Sequence, residues 1–254
     1  MRKAIDAARH PALLLVDTIS SLGSIDFRMD DWGIDIAVGG SQKGLMMVTG
    51  LAFTGISEKA MAKWKADGAG GGMRRSYWSW AEMLTHTPQR FPGTTPVHLF
   101  FGLEQSLKLM EDEGLEAVFR RHSRLAKAVR AAVSHWGDGR RSKGTLGLKG
   151  LSEAPTSVEL LCADPARVSD SVSAILLPGG VDGNAMRKIA QDRFNLSLGG
   201  GLGPLAGKAF RIGHMGDLNE PMLLGALATV ELAMRASGVP HKAGAVNAAI
   251  DALG

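Results

Sequence analysis

Two side chains near the start of the chain carry matched chemistry. Asp17 follows the apolar run at residues 12–16, and Lys43 follows a second run at 34–38 through Gly39-Gly40-Ser41-Gln42. A lysine amine condenses with a carbonyl carbon. A carboxylate set against a heterocyclic nitrogen keeps that nitrogen protonated and makes the ring an electron sink. The pair therefore suits an aldehyde cofactor built on a pyridine ring. Plainer uses exist for both. Asp17 could cap the turn after its strand, and Lys43 could be a solvated lysine in a glycine-rich turn.

Other residues fit the same ligand. Ile19, two positions beyond Asp17, would share its direction on an extended chain and offer an apolar surface to a flat ring. Ser41 offers a hydroxyl to a phosphate or to the lysine. Thr94, in the stretch Phe91-Pro92-Gly93-Thr94-Thr95-Pro96, joins a hydroxyl to the backbone N–H groups of a Gly/Pro loop, a suitable phosphate cradle. Arg211 interrupts the apolar stretch 209–215. Arginine is seldom buried without an anion, so it reads either as a clamp for a substrate carboxylate or as half of an internal ion pair. His214 reads as a packed histidine rather than a base, and Cys162 as a core thiol. The glycines at 199–203 do not run from strand into helix as a dinucleotide fingerprint must, and the P-loop pattern is absent. No metal is expected.

These residues need elements to hold them. Residues 2–9 read as a helix, and 12–17 as a strand buried on both faces, with further strands at 34–38 and 51–55. Ser57 should cap a helix over 57–66. Residues 67–76 read as a loop and 76–84 as a short aromatic helix. A long amphipathic helix starts near His98, is broken or bent at Gly114, and ends at Gly137-Asp138-Gly139. Beyond residue 145, strands at 156–162, 173–177 and 209–215 alternate with helices near 165–172, 182–193 and from Asn219 to Gly238. The tail after Pro240 suggests a last helix. A carboxylate and an amine at the C-terminal ends of parallel strands stand where open α/β sheets bind ligands.

The 254 residues suffice for one large or two modest domains, and 45% hydrophobic with 21% charged residues is an ordinary globular balance. The formal charge of +4 is scattered rather than gathered into a stripe, so nucleic acid is not an expected partner. One cysteine excludes an intramolecular disulfide. No apolar stretch is long enough for a bilayer and the N-terminus lacks an apolar signal core, so a cytoplasmic enzyme is expected.

Three separated segments resemble one family. Residues 13–46, residues 91–97 with the helix after them, and residues 197–220 together resemble the class V, fold-type I aminotransferases, in particular their serine–glyoxylate and alanine–glyoxylate group. The resemblance implies pyridoxal 5'-phosphate as cofactor. Lys43 aligns with the lysine that holds it, Asp17 with the acid at its ring nitrogen, and Ile19 with the apolar residue on the ring. Ser41 and Gln42 precede the lysine as in the family, Gln42 near the phosphate. Thr94 aligns with a residue reaching the cofactor of a neighbouring subunit, and Arg211 with the arginine that grips the substrate carboxylate. Phe91 stands where some relatives carry tyrosine. The implied fold is α/β: residues 1–113 form the C-terminal part of the cofactor-binding large domain, with a mainly parallel mixed sheet, and 114–254 a smaller α+β domain. The implied reaction moves an amino group from serine or alanine to glyoxylate, with amino acids and 2-oxo acids as ligands and a homodimer as the assembly. Relatives carry a long stretch ahead of the segment that opens this chain, so an impaired remnant is one alternative. Another class V reaction is a second, although Cys162 looks unsuited to cysteine desulfuration.

Overall fold

The computed structural model describes residues 1–68, 78–85, 93–139, 154–162 and 164–254. The expected loop at 67–76 falls mostly outside these residues, and Phe91 wholly so. The chain divides into two compact units, Met1–Leu115 and Glu116–Gly254.

In the first unit, helix α1 (Arg2–Ala7) precedes three strands, β1 (Leu15–Asp17), β2 (Ile36–Gly40) and β3 (Ala52–Ile56). They form a mixed sheet in the order β1-β2-β3, the first pair parallel and the second antiparallel. Leu14, Ile34 and Ala37 make its small core, with Ile5, Val16, Phe27 and Met29 against them. The first strand differs from expectation. It is three residues long rather than six, and Leu15 is 61% exposed rather than buried. Asp35, a buried carboxylate, accepts the Leu14 N–H at 2.7 Å and so takes a donor that a longer strand would have used. Arg2, Ser57 and Lys59 also converge on Asp35, at 3.3–3.4 Å.

Helix α2 (Glu58–Ala66) starts where Ser57 Oγ accepts the Ala60 N–H at 3.1 Å, as expected of a Ser N-cap. A short helix α3 (Trp80–Thr85) follows. The long helix is broken as foreseen: α4 (Val97–Glu113) and α5 (Leu115–Trp136) are separated by Gly114 at φ +83°. That conformation belongs to glycine.

The second unit packs α5 and helices α6 (Gly183–Phe194), α7 (Glu220–Ala236) and α8 (Ala245–Leu253) with an antiparallel sheet. Its strands are β4 (Glu159–Leu160), β5 (Val172–Leu176), β6 (Gly199–Gly200) and β7 (Ala209–Gly213), in the order β4-β5-β7-β6. Along α5, residues Val118, His122, Leu125, Val129, Ala132, Val133 and Trp136 recur at three- and four-residue spacing and are all buried. Leu125, Val129, Ala132, Val133 and Trp136 join Ile175, Met186, Phe210, Leu227 and Met234 in one core. Each large side chain there contributes roughly 1.5–3 kcal/mol. The expected helix at 165–172 is only a 3-10 turn, Pro165–Arg167. Ser169 Oγ accepts the Ser171 N–H at 3.2 Å and pairs with Ser171 Oγ at 2.8 Å, a local arrangement that competes with helix. Asp182 and Asn219 cap α6 and α7 through side-chain oxygens.

Candidate active site

The aspartate ends one of two neighbouring parallel strands, β1, and the lysine follows the other, β2, by three residues. Asp17 pairs in register with Val38, and the Thr18 N–H donates to Val38 O at 2.8 Å, so the two C-terminal ends lie side by side. Beyond them the chain turns into 18–25 on one side and 41–51 on the other. Asp17 is exposed, and its Oδ1 accepts the Ile19 N–H at 2.9 Å. The turn-capping use of Asp17 is therefore real. It occupies one carboxylate oxygen and leaves acceptor capacity at Oδ2.

Gly40 lies between the two turns. A Cβ built on it would come 3.2 Å from Ile19 Cδ1 and 2.9 Å from Gln42 Oε1. The half-buried Ile19 and the exposed Gln42 thus close in on Gly40, and a larger residue there would push one of them aside. Ser41 is fully buried. Its Oγ donates to Val48 O at 2.8 Å and accepts the Leu51 N–H at 3.2 Å, so this hydroxyl closes the lysine loop.

Lys43 is half-buried and opens a tight turn in which the Met46 N–H donates to Lys43 O at 2.9 Å. Met46 has φ +56°, a left-handed conformation that costs a side-chain-bearing residue about 1–2 kcal/mol. Strain of this kind persists only where the surroundings over-determine it, and here they do. A Cβ on Gly44 would collide with Leu22 O and Ser24 Oγ, and one on Gly23 would lie 3.1 Å from Gly44 C. Two glycines therefore weld the turn after Asp17 to the turn after Lys43. From α4, the buried Ser106 Oγ donates to Leu45 O. Leu99 crowds Gly50, and Met47 packs over Gly102. The sequence pointed to the lysine but not to this support, although the glycine after it was a visible signal. Thr94 is exposed, just ahead of α4.

Arg211 sits in β7 of the second unit, half-buried, with Nε donating to Gly200 O at 2.8 Å. Among the described residues no carboxylate lies within ion-pair distance of it, so the internal ion pair is not found there. Gly199, its register partner, leaves it room: a Cβ there would be 3.1 Å from Arg211 Cβ. His214, just past the strand, is fully buried between Asp170 O (3.1 Å from Nδ1) and Ser173 Oγ (3.0 Å from Nε2). A carbonyl can only accept, so Nδ1 carries the proton and Ser173 donates to Nε2. Burial pushes the imidazole down to about 4, with the Asp170 carbonyl opposing and the Arg130 charge assisting. A ring so held is a packed side chain rather than a base. Cys162 is half-buried, its Sγ 3.5 Å from Asp164 O.

A mixed sheet with the amine and the acid at adjacent strand ends, followed by an α+β unit, is the architecture of the fold-type I transferases, and the comparisons agree. The chain belongs to the class-V aminotransferase family, whose model matches residues 2–144; the family depends on pyridoxal phosphate. It is 46% identical to a serine–glyoxylate aminotransferase of Hyphomicrobium methylovorum over 96% of this chain and 55% of the relative. It is 43% identical to an L-aspartate–glyoxylate aminotransferase of Paracoccus denitrificans over 96% and 56%. Its fold matches that of pyridoxamine–pyruvate aminotransferase from Mesorhizobium loti at a TM-score of 0.81 and 32% identity, covering 97% of this chain and 58% of that one. The chain spans about half the length of the curated relatives it matches.

Proposed function

We propose that this chain serves a pyridoxal-phosphate-dependent transfer of an amino group, with serine (or alanine) as donor and glyoxylate as acceptor. The observation that carries the reading is the paired strand ends. Asp17 ends β1 in register with Val38 of β2, Lys43 lies three residues past the end of β2, and the side chains of Ile19 and Gln42 crowd Gly40. That donor set fits the cofactor: an amine for its aldehyde, a carboxylate for its ring nitrogen, an apolar face for its ring. When bound, the cofactor supplies an electron sink for the electrons left at the substrate Cα. Lys43 would hold it through its amine and would move the proton at the substrate Cα. Asp17 Oδ2 keeps the ring nitrogen protonated. Arg211 orients the substrate carboxylate through its terminal guanidinium nitrogens. Thr94 and the amide of Gln42 serve the phosphate, while Ser41 keeps the loop closed.

The relatives named for glyoxylate as acceptor support this choice. We further place the protein in the cytoplasm as a homodimer. Among the described residues no helix is long and apolar enough to cross a membrane. Val97, Phe100, Phe101 and Leu107 leave an exposed apolar stripe on α4, beside Thr94, suited to a second copy.

The test is reduction of the cofactor-loaded protein with borohydride, followed by peptide mass analysis and an assay with serine and glyoxylate. A pyridoxyl adduct at Lys43, absent from Lys43→Ala, is the expected result. An adduct elsewhere, unchanged in that variant, overturns the assignment. An adduct at Lys43 without turnover favours the impaired alternative.

A further inference from the structure

A second arginine shares the sheet edge with Arg211. Strand β6 is the outermost strand of its sheet, and among the described residues nothing pairs with its outer side. The Gly201 N–H donates inward to Ala209 O at 2.9 Å. Alternation along an antiparallel ladder then turns the carbonyls of Leu198 and Gly200 outward, to the free edge. Both are taken by arginines. Arg211 Nε donates to Gly200 O at 2.8 Å, and Arg187 Nε, from α6, donates to Leu198 O at 2.8 Å. They arrive from opposite faces, Arg211 over Gly199 and Arg187 over Gly200, where a Cβ would lie only 2.7 Å from Arg187 Nη1. Two glycines in succession thus let two guanidinium groups wrap one strand.

Both arginines are half-buried. Arg187 Nη1 also donates to Asn184 Oδ1 at 3.3 Å, a neutral acceptor, and neither arginine has a carboxylate within ion-pair distance among the described residues. The carbonyls that anchor them are two residues apart, about 7 Å along an extended strand. A single carboxylate does not span that interval, whereas an acid with carboxylates on a four- or five-carbon chain does.

We propose that Arg187 is a specificity-determining residue that receives the second carboxylate of a dicarboxylic substrate, Arg211 holding the first. The proposal rests on the reading of Arg211 as the carboxylate clamp. It widens the substrate class from serine and glyoxylate to four- and five-carbon amino and 2-oxo dicarboxylic acids.

Calorimetric titration of the cofactor-loaded protein with succinate and with propionate tests it. Arg187→Met should weaken succinate more than about tenfold, the worth of a charge-assisted hydrogen bond, and leave propionate within about twofold. Gly200→Ala provides a second route that keeps every charged group, because its Cβ displaces only the far end of the Arg187 side chain. It should reproduce the selective loss. Equal losses for both acids, or none for succinate in either variant, overturn the proposal. Arg211→Met should weaken both acids. If it leaves both unchanged, the reading of Arg211 fails independently of Arg187.

Discussion

The buried histidine makes the second unit acid-sensitive by an amount that follows from its surroundings. His214 is fully buried between a carbonyl and a hydroxyl, and burial lowers its pKa from 6.5 to about 4. The unfolded chain binds a proton at this residue near pH 6.5, while the folded chain refuses it until about pH 4. The neutral ring therefore contributes its full stability above pH 6.5, and the contribution drains away as pH falls toward 4. The whole interval is worth about 3 kcal/mol, and about 2 kcal/mol is lost by pH 5. His214→Asn places an amide N–H near Nδ1 and removes the titration. Urea unfolding of both proteins at pH 8, 6.5 and 5, with amide exchange in β5 and β7 as the local readout, compares them. The wild type should lose about 2 kcal/mol more than the variant between pH 8 and pH 5. A difference that stays constant within about 0.5 kcal/mol would refute the argument, because the ring would then titrate alike in both states.

Two further outcomes are expected. Gly44→Ala should destabilise the first unit by about 1–3 kcal/mol, since the added Cβ meets the Leu22 backbone, and should lower pyridoxyl capture at Lys43; thermal melts and peptide mass analysis read the two effects. Glu231 accepts from Gly244 N (2.8 Å), Ala245 N (3.0 Å) and Trp136 Nε1 (3.0 Å), fastening the start of α8. Desolvation raises its pKa, but those bonds outweigh it and the net direction is down, so its contribution is complete above the ordinary glutamate range and fades as pH falls below it. Glu231→Ala should cost about 1–3 kcal/mol and speed amide exchange in α8 at neutral pH, a gap that narrows in acid.

How far the sequence could be read depended on whether a residue's partners were local. Ser57, Asn219 and Gly114 act on their own turns, and their roles were legible from type and position. Lys43 and Asp17 stood out as an amine and an acid close behind apolar runs, and the structure sets those runs side by side as β1 and β2. The failures came from distant partners. Nothing near Leu14 announces that Asp35, twenty-one residues on, will take its N–H. The helix foreseen at 165–172 lost to hydroxyls that bond two residues away. Ser41 offered a hydroxyl to a phosphate or to the lysine, and its bonds to Val48 and Leu51 emerge only with the fold. Arg187 carries no signal in sequence at all, because its significance lies in a carbonyl eleven residues away, on the edge strand that Arg211 also grips.

The meeting of Gly23 and Gly44 also bears on how this chain tolerates sequence drift. Each glycine occupies the space the other's side chain would need, so neither position gains a methyl group without a compensating retreat of the opposite backbone. Single substitutions at the two sites should be non-additive, and a library randomised at both should return mainly glycine pairs. Inheritance of the lysine's position is thus tied to a residue twenty positions upstream that has no functional group of its own.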